Sequence, residues 1–156
     1  MMSMDLAATY QYVDKRRDHF TRKLQELLQQ PSISTDHESC TKCAKLLSKT
    51  MTESGIQSHL MPVRDGPPVV FGQLHSKTSK KTLLCYDHYD VKPVDPVGEW
   101  ISDPFSAEIR ENRVYARGAT DNKSGCLAFT FATEALLQST GDVPLNLKFV
   151  FEGEEE

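Results

Sequence analysis

Apolar residues between positions 5 and 30 recur mostly at intervals of three and four: Leu6, Tyr10, Val13, Phe20, Leu24, Leu27 and Leu28. That period marks one buried face of a helix, so a helix is expected from Asp5 to Gln30, stopped by Pro31. Next, Ser34, Thr35 or Asp36 offers an N-cap, Cys40, Cys43, Ala44, Leu47 and Met51 form a second apolar stripe, and Gly55 supplies a terminator. After Gly55 the period changes. SHLMPV, VVFGQL and TLLCY are short β-rich runs separated by Asp65, Gly66, Pro67 and Pro68 and by the polar stretch HSKTSKK. FSAEIRENRVYARG alternates around a Glu111–Asn112 turn, as a hairpin does. A buried helix is expected from Asn122 to Ser139, and LNLKFVF reads as a strand running into EGEEE.

This succession predicts an α/β domain whose twisted sheet, mostly parallel or mixed, is flanked by helices and gathers ligands at its strand ends. With 156 residues, 38% hydrophobic and 26% charged, the chain suits one soluble globular domain. A formal charge of −4 with scattered basic residues excludes a phosphate-tracking surface, so nucleic acid is not an expected partner. The opening MMSMDLAATYQYVDKRRDHF reaches an acidic residue at once and holds no apolar run of signal or membrane-spanning length, which makes the cytoplasm the default location. The four cysteines read as reduced thiols.

Three strand-end segments carry the chemistry: YDHYDV at 86–91, ARGATDNKSG at 116–125 and FEGEEE at 151–156. His88 and Asp90, two apart on an extended chain, point to one side, where the carboxylate can accept the second imidazole N–H and orient the ring. A surface or satisfied-core pair is the competing reading. Asp121 follows Gly118 and precedes a helix, which suits an N-cap as well as a metal-bridging carboxylate. Consecutive glutamates repel one another unless a cation or proton intervenes. They read either as a solvated tail or as a pair dividing labour, one binding a metal and the next acting as general base.

Taken together, DHYDVKP, EWISDPFSAEI, VYARGATDNKSG and EGEEE resemble, in order and spacing over residues 80–156, the zinc-dependent aminoacylase, succinyl-diaminopimelate desuccinylase, glutamate carboxypeptidase and carnosinase-like dipeptidase family. The first motif is similar to GHxDVxP and the last to EGxEE. The resemblance implies a zinc-peptidase-like catalytic domain with two zinc ions, cobalt or manganese being substitutes. It makes His88 a ligand of one metal, Asp90 its orienting partner, Asp121 the bridging carboxylate, Glu155 the general base and Glu156 a ligand of the second metal. Glu154 falls on a variable position. The implied reaction is hydrolysis of dipeptides or N-acyl amino acids, leaning towards the dipeptidase branch, by a parent that forms homodimers. Asp87 departs from the usual glycine, and Ser124 from another. An extra carboxylate at 87 either crowds the metal or faces away, because adjacent strand residues point to opposite faces. Residues 1–156 would form the N-terminal part of the catalytic domain, without the downstream acidic ligand, late histidine and dimerisation domain that the family has. Weak metal binding and little hydrolysis are therefore expected of this chain alone. The alternative is a non-catalytic interaction module whose sheet edge is covered by partner chains.

Other candidates fare less well. Cys40 and Cys43 form a CxxC but share a helical face with Ala44, Leu47 and Met51, which favours core packing. Cys85 and Cys126 have apolar flanks and are expected to be buried. Trp100, Pro104 and Phe105 either line a substrate cleft or, the favoured reading, anchor a long loop. Arg117 and Lys123 flank Asp121, where they would bind a substrate carboxylate, balance the acidic site or make ordinary ion pairs. His19, His59 and His75 match no motif.

Overall fold

A computed structural model describes residues 6–156. Two helices stand where one is expected, α1 (Leu6–Lys15) and α2 (Arg17–Gln29), and Asp5 lies outside the described residues. The break falls at Arg16, whose ψ of 7° leaves the helical range while its N–H reaches the carbonyls of Tyr12 and Val13, both at 3.1 Å. Each half keeps its own apolar face, so the spacing conceals the break. The division lets α1 turn to the last helix of the domain, where the Tyr12 hydroxyl donates to Glu134 at 2.9 Å.

The third helix, α3 (His37–Glu53), is capped by Asp36, whose carboxylate accepts the Ser39 N–H at 3.1 Å. Its stripe of Cys40, Cys43, Ala44, Leu47 and Met51 is fully buried. Burial of a side chain such as Leu47 is worth about 1.5–3 kcal/mol before entropy is subtracted.

The main sheet has four strands: β1 (Gln57–Val63), β2 (Gly66–Leu74), β3 (Thr82–His88) and, at the chain's end, β6 (Asn146–Glu152). Their spatial order is β1-β2-β6-β3. The pairs β1–β2 and β2–β6 are antiparallel, and only β3–β6 is parallel, so the sheet is mixed rather than mostly parallel. The β1 register shifts between Met61 and Val63, around Pro62, which has no N–H to give and is tolerated on an edge strand. A small second sheet pairs β4 (Glu108–Arg110) with β5 (Arg113–Tyr115). Its turn residues Glu111 and Asn112 have φ of 49° and 60°, the positive pair that suits a two-residue hairpin. The last helix, α4 (Lys123–Thr140), begins after Asn122, so Asp121 is not its N-cap.

Phe149 and Phe151 of β6 and Val70 of β2 complete a core with the α3 stripe. At the far edge, Leu83, Leu84 and Tyr86 of β3 are exposed. Among the described residues no helix is long and apolar enough to cross a membrane.

Candidate metal centre

Since β3 and β6 run parallel, with His88 beside Glu152, both strands finish at the same edge of the sheet and the segments leaving them meet there. Tyr89 ties them together. Its N–H donates to the Glu152 carbonyl at 2.8 Å, and its fully buried ring carries the hydroxyl to the Pro68 carbonyl at 2.6 Å. A Cβ on Gly153 would stand 2.5 Å from that hydroxyl oxygen, which explains the glycine in EGEEE by close approach. On the other side the Ser32 hydroxyl donates to the Tyr89 carbonyl at 2.6 Å, and the Val91 N–H to the Ser32 carbonyl at 2.9 Å. The chain carrying His88 and Asp90 is thus held from both flanks.

Carboxylates surround His88. Its Nδ1 lies 3.3 Å from Oδ1 of Asp90, and its Nε2 lies 3.1 Å from Oδ1 of Asp121 and 3.7 Å from Oε2 of Glu155. Single ligand atoms of His88, Glu155 and Glu156 lie within 4.8 Å of one another. Asp90 is fully buried, and its Oδ2 accepts the Glu156 N–H at 3.0 Å, which orients the terminal segment, while the His88 Nδ1 also lies 3.3 Å from the Asp90 backbone carbonyl. Glu156 is nearly buried, whereas the Asp121 side chain is 74% exposed and faces the open mouth of the cluster. Glu152 and Glu154 lie apart: the former accepts the Tyr86 hydroxyl and the latter packs against Gly66.

The cluster draws positive charge. Burial, the largest single influence, pulls the His88 pKa down, yet the carboxylates of Asp90, Glu155 and Asp121 together outweigh it and hold it above the ordinary 6.5. Lys92 brings its Nζ within 2.6 Å of Oε2 of Glu156, and this hydrogen bond raises the lysine pKa. One imidazole nitrogen with several carboxylate oxygens is a donor set that suits zinc, cobalt or manganese, so these residues fit a divalent ion.

All the residues singled out for chemistry, His88, Asp90, Asp121, Glu155 and Glu156, therefore come together. The neighbours of Asp121 do not join them. Lys123, fully buried, points away and donates to the carbonyls of Leu27 and Gln30 at 3.1 and 2.5 Å, closing the C-terminal end of α2. Among the described residues it makes no ion pair with the acidic cluster, and burial lowers its pKa. Arg117 stacks over Trp100 at 5.2 Å and donates to the Pro93 carbonyl at 3.1 Å. Trp100 lines an open cleft of about 930 Å³ with Arg113, Tyr115 and Thr120, and Pro104 is buried in the loop. Cys40, Cys43, Cys85 and Cys126 are unpaired and buried, and burial pushes the Cys40 thiol up to about 12, consistent with packing rather than reactivity. No sequence motif assigns a role to Lys92 or Tyr89. A cation four residues after His88 and an aromatic between two polar strand-end residues were the available signals.

A mixed α/β domain with an imidazole–carboxylate cluster at parallel strand ends is the framework of a metallopeptidase catalytic domain. The model of the peptidase family M20/M25/M40 matches residues 84–156 of the chain. The chain is 34% identical over 168 residues to the Cys-Gly metallodipeptidase dug1 of Schizosaccharomyces pombe, a match spanning 99% of this chain and 35% of that protein. Among solved structures, human carnosine dipeptidase 1 superposes with a TM-score of 0.86 at 31% identity, covering 96% of this chain and 35% of that one. The M20 family metallo-carboxypeptidase Sso-CP2 of Sulfolobus solfataricus gives 0.81 at 42% identity, covering 87% and 31%. The chain spans about a third of the length of the curated relatives it matches.

Proposed function

We propose that residues 1–156 are the N-terminal part of the catalytic domain of a metal-dependent dipeptidase or aminoacylase. The observation that carries this reading is the approach of Asp121 and Glu155 to Nε2 of a His88 whose other nitrogen faces Asp90. In it His88 and Glu156 would each hold one zinc ion, with Asp121 as the carboxylate shared between them. The pair of ions, when bound, polarises the scissile amide carbonyl and makes a water molecule a nucleophile near neutral pH. The protein's own part begins with Asp90, which keeps the His88 ring in one tautomer and orientation. Glu155, about half exposed and not tied to Lys92, takes the proton from the attacking water and passes it to the leaving amine.

Dipeptides are the substrates that the named dipeptidases support, and the resemblance of the motifs extends the reading to N-acyl amino acids, with the dipeptidase branch preferred. Buried, unpaired cysteines support a reducing, cytoplasmic setting. In a complete parent protein Glu155→Gln is expected to abolish turnover while sparing metal content; retained activity would mean that another group is the base. For the chain itself the reading predicts weak zinc uptake, lost in His88→Ala, in metal analysis after dialysis.

The exposed Leu83, Leu84 and Tyr86 favour a second reading, a non-catalytic module whose β3 edge is covered by a partner chain. Zinc uptake that is insensitive to His88→Ala, together with a stable complex through β3, would replace the first reading by this one.

A further inference from the structure

We propose that Asp87 is a positioning residue for Asp121, fixing the loop that carries Asp121 to the end of β3. The inference rests on the reading of His88 and Asp121 as metal ligands and adds to it a residue outside the ligand set.

Asp87 is 6% exposed, and no Lys or Arg pairs with it among the described residues. Its carboxylate is turned instead to the start of α4. Oδ1 accepts from the Asn122 side-chain amide at 2.5 Å and from the backbone N–H of His88 at 2.9 Å. One oxygen therefore touches the residue before the loop's helix and the strand residue that Asp121 faces.

Asn122 occupies the N-cap position of α4, where such a side chain ordinarily accepts a hydrogen bond from the helix's first turn. Here it makes no cap hydrogen bond, and its amide is directed to Asp87. The other carboxylate oxygen fills the place of a side chain at 125: a Cβ on Gly125 would stand 2.1 Å from Oδ2 of Asp87. Asp87 is thus a wedge between β3 and the first turn of α4, and Gly125 is the space into which it fits. Among the described residues Asp121, largely exposed, has no other anchor of this kind; its side chain meets His88 at 3.1 Å. The separation of Asp121 from His88 is set by what fixes Asn122.

Backbone hydrogen bonds in the loop provide the readout: the Lys123 N–H donates to the Gly118 carbonyl at 3.1 Å and the Gly125 N–H to the Asn122 carbonyl at 3.0 Å. The Gly141 N–H, bonded to the Leu137 carbonyl at 2.9 Å at the far end of α4, is the control. In the whole chain, Asp87→Ala is expected to speed amide exchange at Lys123 and Gly125 about tenfold with Gly141 unchanged. Asp87→Asn, which keeps an acceptor oxygen, should restore protection. Asn122→Ala cuts the same contact from the other side and should reproduce the loosening, which keeps the test decisive if Asp87→Ala fails to fold.

Manganese affinity, measured by electron paramagnetic resonance, should fall about tenfold in Asp87→Ala and recover in Asp87→Asn, the scale on which supporting partners of metal ligands act. Unchanged exchange, exchange accelerated equally at Gly141, or no rescue by asparagine would overturn the proposal. So would an unchanged manganese affinity beside a loosened loop. A wild-type chain that binds no manganese refutes the metal-centre reading, while the exchange pattern still decides whether Asp87 holds the loop.

Discussion

Along α3 the sheet is sealed: Cys40, Cys43, Ala44, Leu47 and Met51 are each 0% exposed, and Val70, Phe149 and Phe151 meet them from the strands. Along the first part of β3 it is open, with Leu83, Leu84 and Tyr86 at 48, 59 and 54%. Both regions are apolar, and both have regular backbone. The difference is whether a second layer covers them, and hydrophobic stabilisation follows the area removed from water rather than the residue type. The metal-centre candidates lie where β3 passes from the open condition to the sealed one. Cys85, Asp87 and His88 are buried, and from there the chain is held by Tyr89 and Ser32. A site at such a boundary combines a fixed His88 and Asp90 with an Asp121 open to an approaching ligand.

The largest effect that tests this comparison is on the sealed side. Leu47→Ala should cost about 2–5 kcal/mol of stability, the range for emptying a buried leucine site, read from urea unfolding midpoints at constant m-value. A cost below about 1 kcal/mol would mean that the α3 layer is not where the fold draws its stability.

A smaller effect sits at the boundary. The His88 pKa lies above its ordinary 6.5 because three carboxylates outweigh its burial. The folded chain therefore binds this proton more tightly than the unfolded chain. The contribution is fully present below pH 6.5 and is lost as pH rises through the folded value. Metal-free protein should accordingly lose stability on going from slightly acidic to slightly alkaline solution, and His88→Gln should remove that slope. A slope that survives the substitution assigns the titration to another group.

The sequence was informative where a local period or a short-range spacing decides the outcome. The α3 stripe was legible because a single helix face does all its packing, and the I′-like turn at Glu111–Asn112 because two polar residues interrupt a strict alternation. The division of the first helix at Arg16 was not, since neither proline nor glycine marks it and the apolar register runs through. Strand order was hidden too, because β2 and β3 both pair with β6 and only tertiary contact decides which does so in parallel. In the site, the two-residue spacing of His88 and Asp90 announced their shared direction. The direction of Lys123 did not follow from its place beside Asp121, because the carbonyls that hold it belong to a helix more than ninety residues earlier. The contacts of Lys92 and Asn122 were hidden for the same reason, as each acts on a partner supplied by another strand or loop.

The smallest expected effect falls on the open side and is the sharpest test of the contrast. Leu84 is 59% exposed in a strand whose outer edge has no neighbouring strand among the described residues. Leu84→Ser removes little buried area, so the stability of the isolated chain should change by no more than about 0.5 kcal/mol. Its size-exclusion profile should stay independent of concentration. A loss on the scale of Leu47→Ala would require a cover over β3 in solution, and dissociation on dilution in the wild type but not in Leu84→Ser would identify that cover as a second copy of the chain. The open and sealed sides would then differ only in which molecule supplies the second layer.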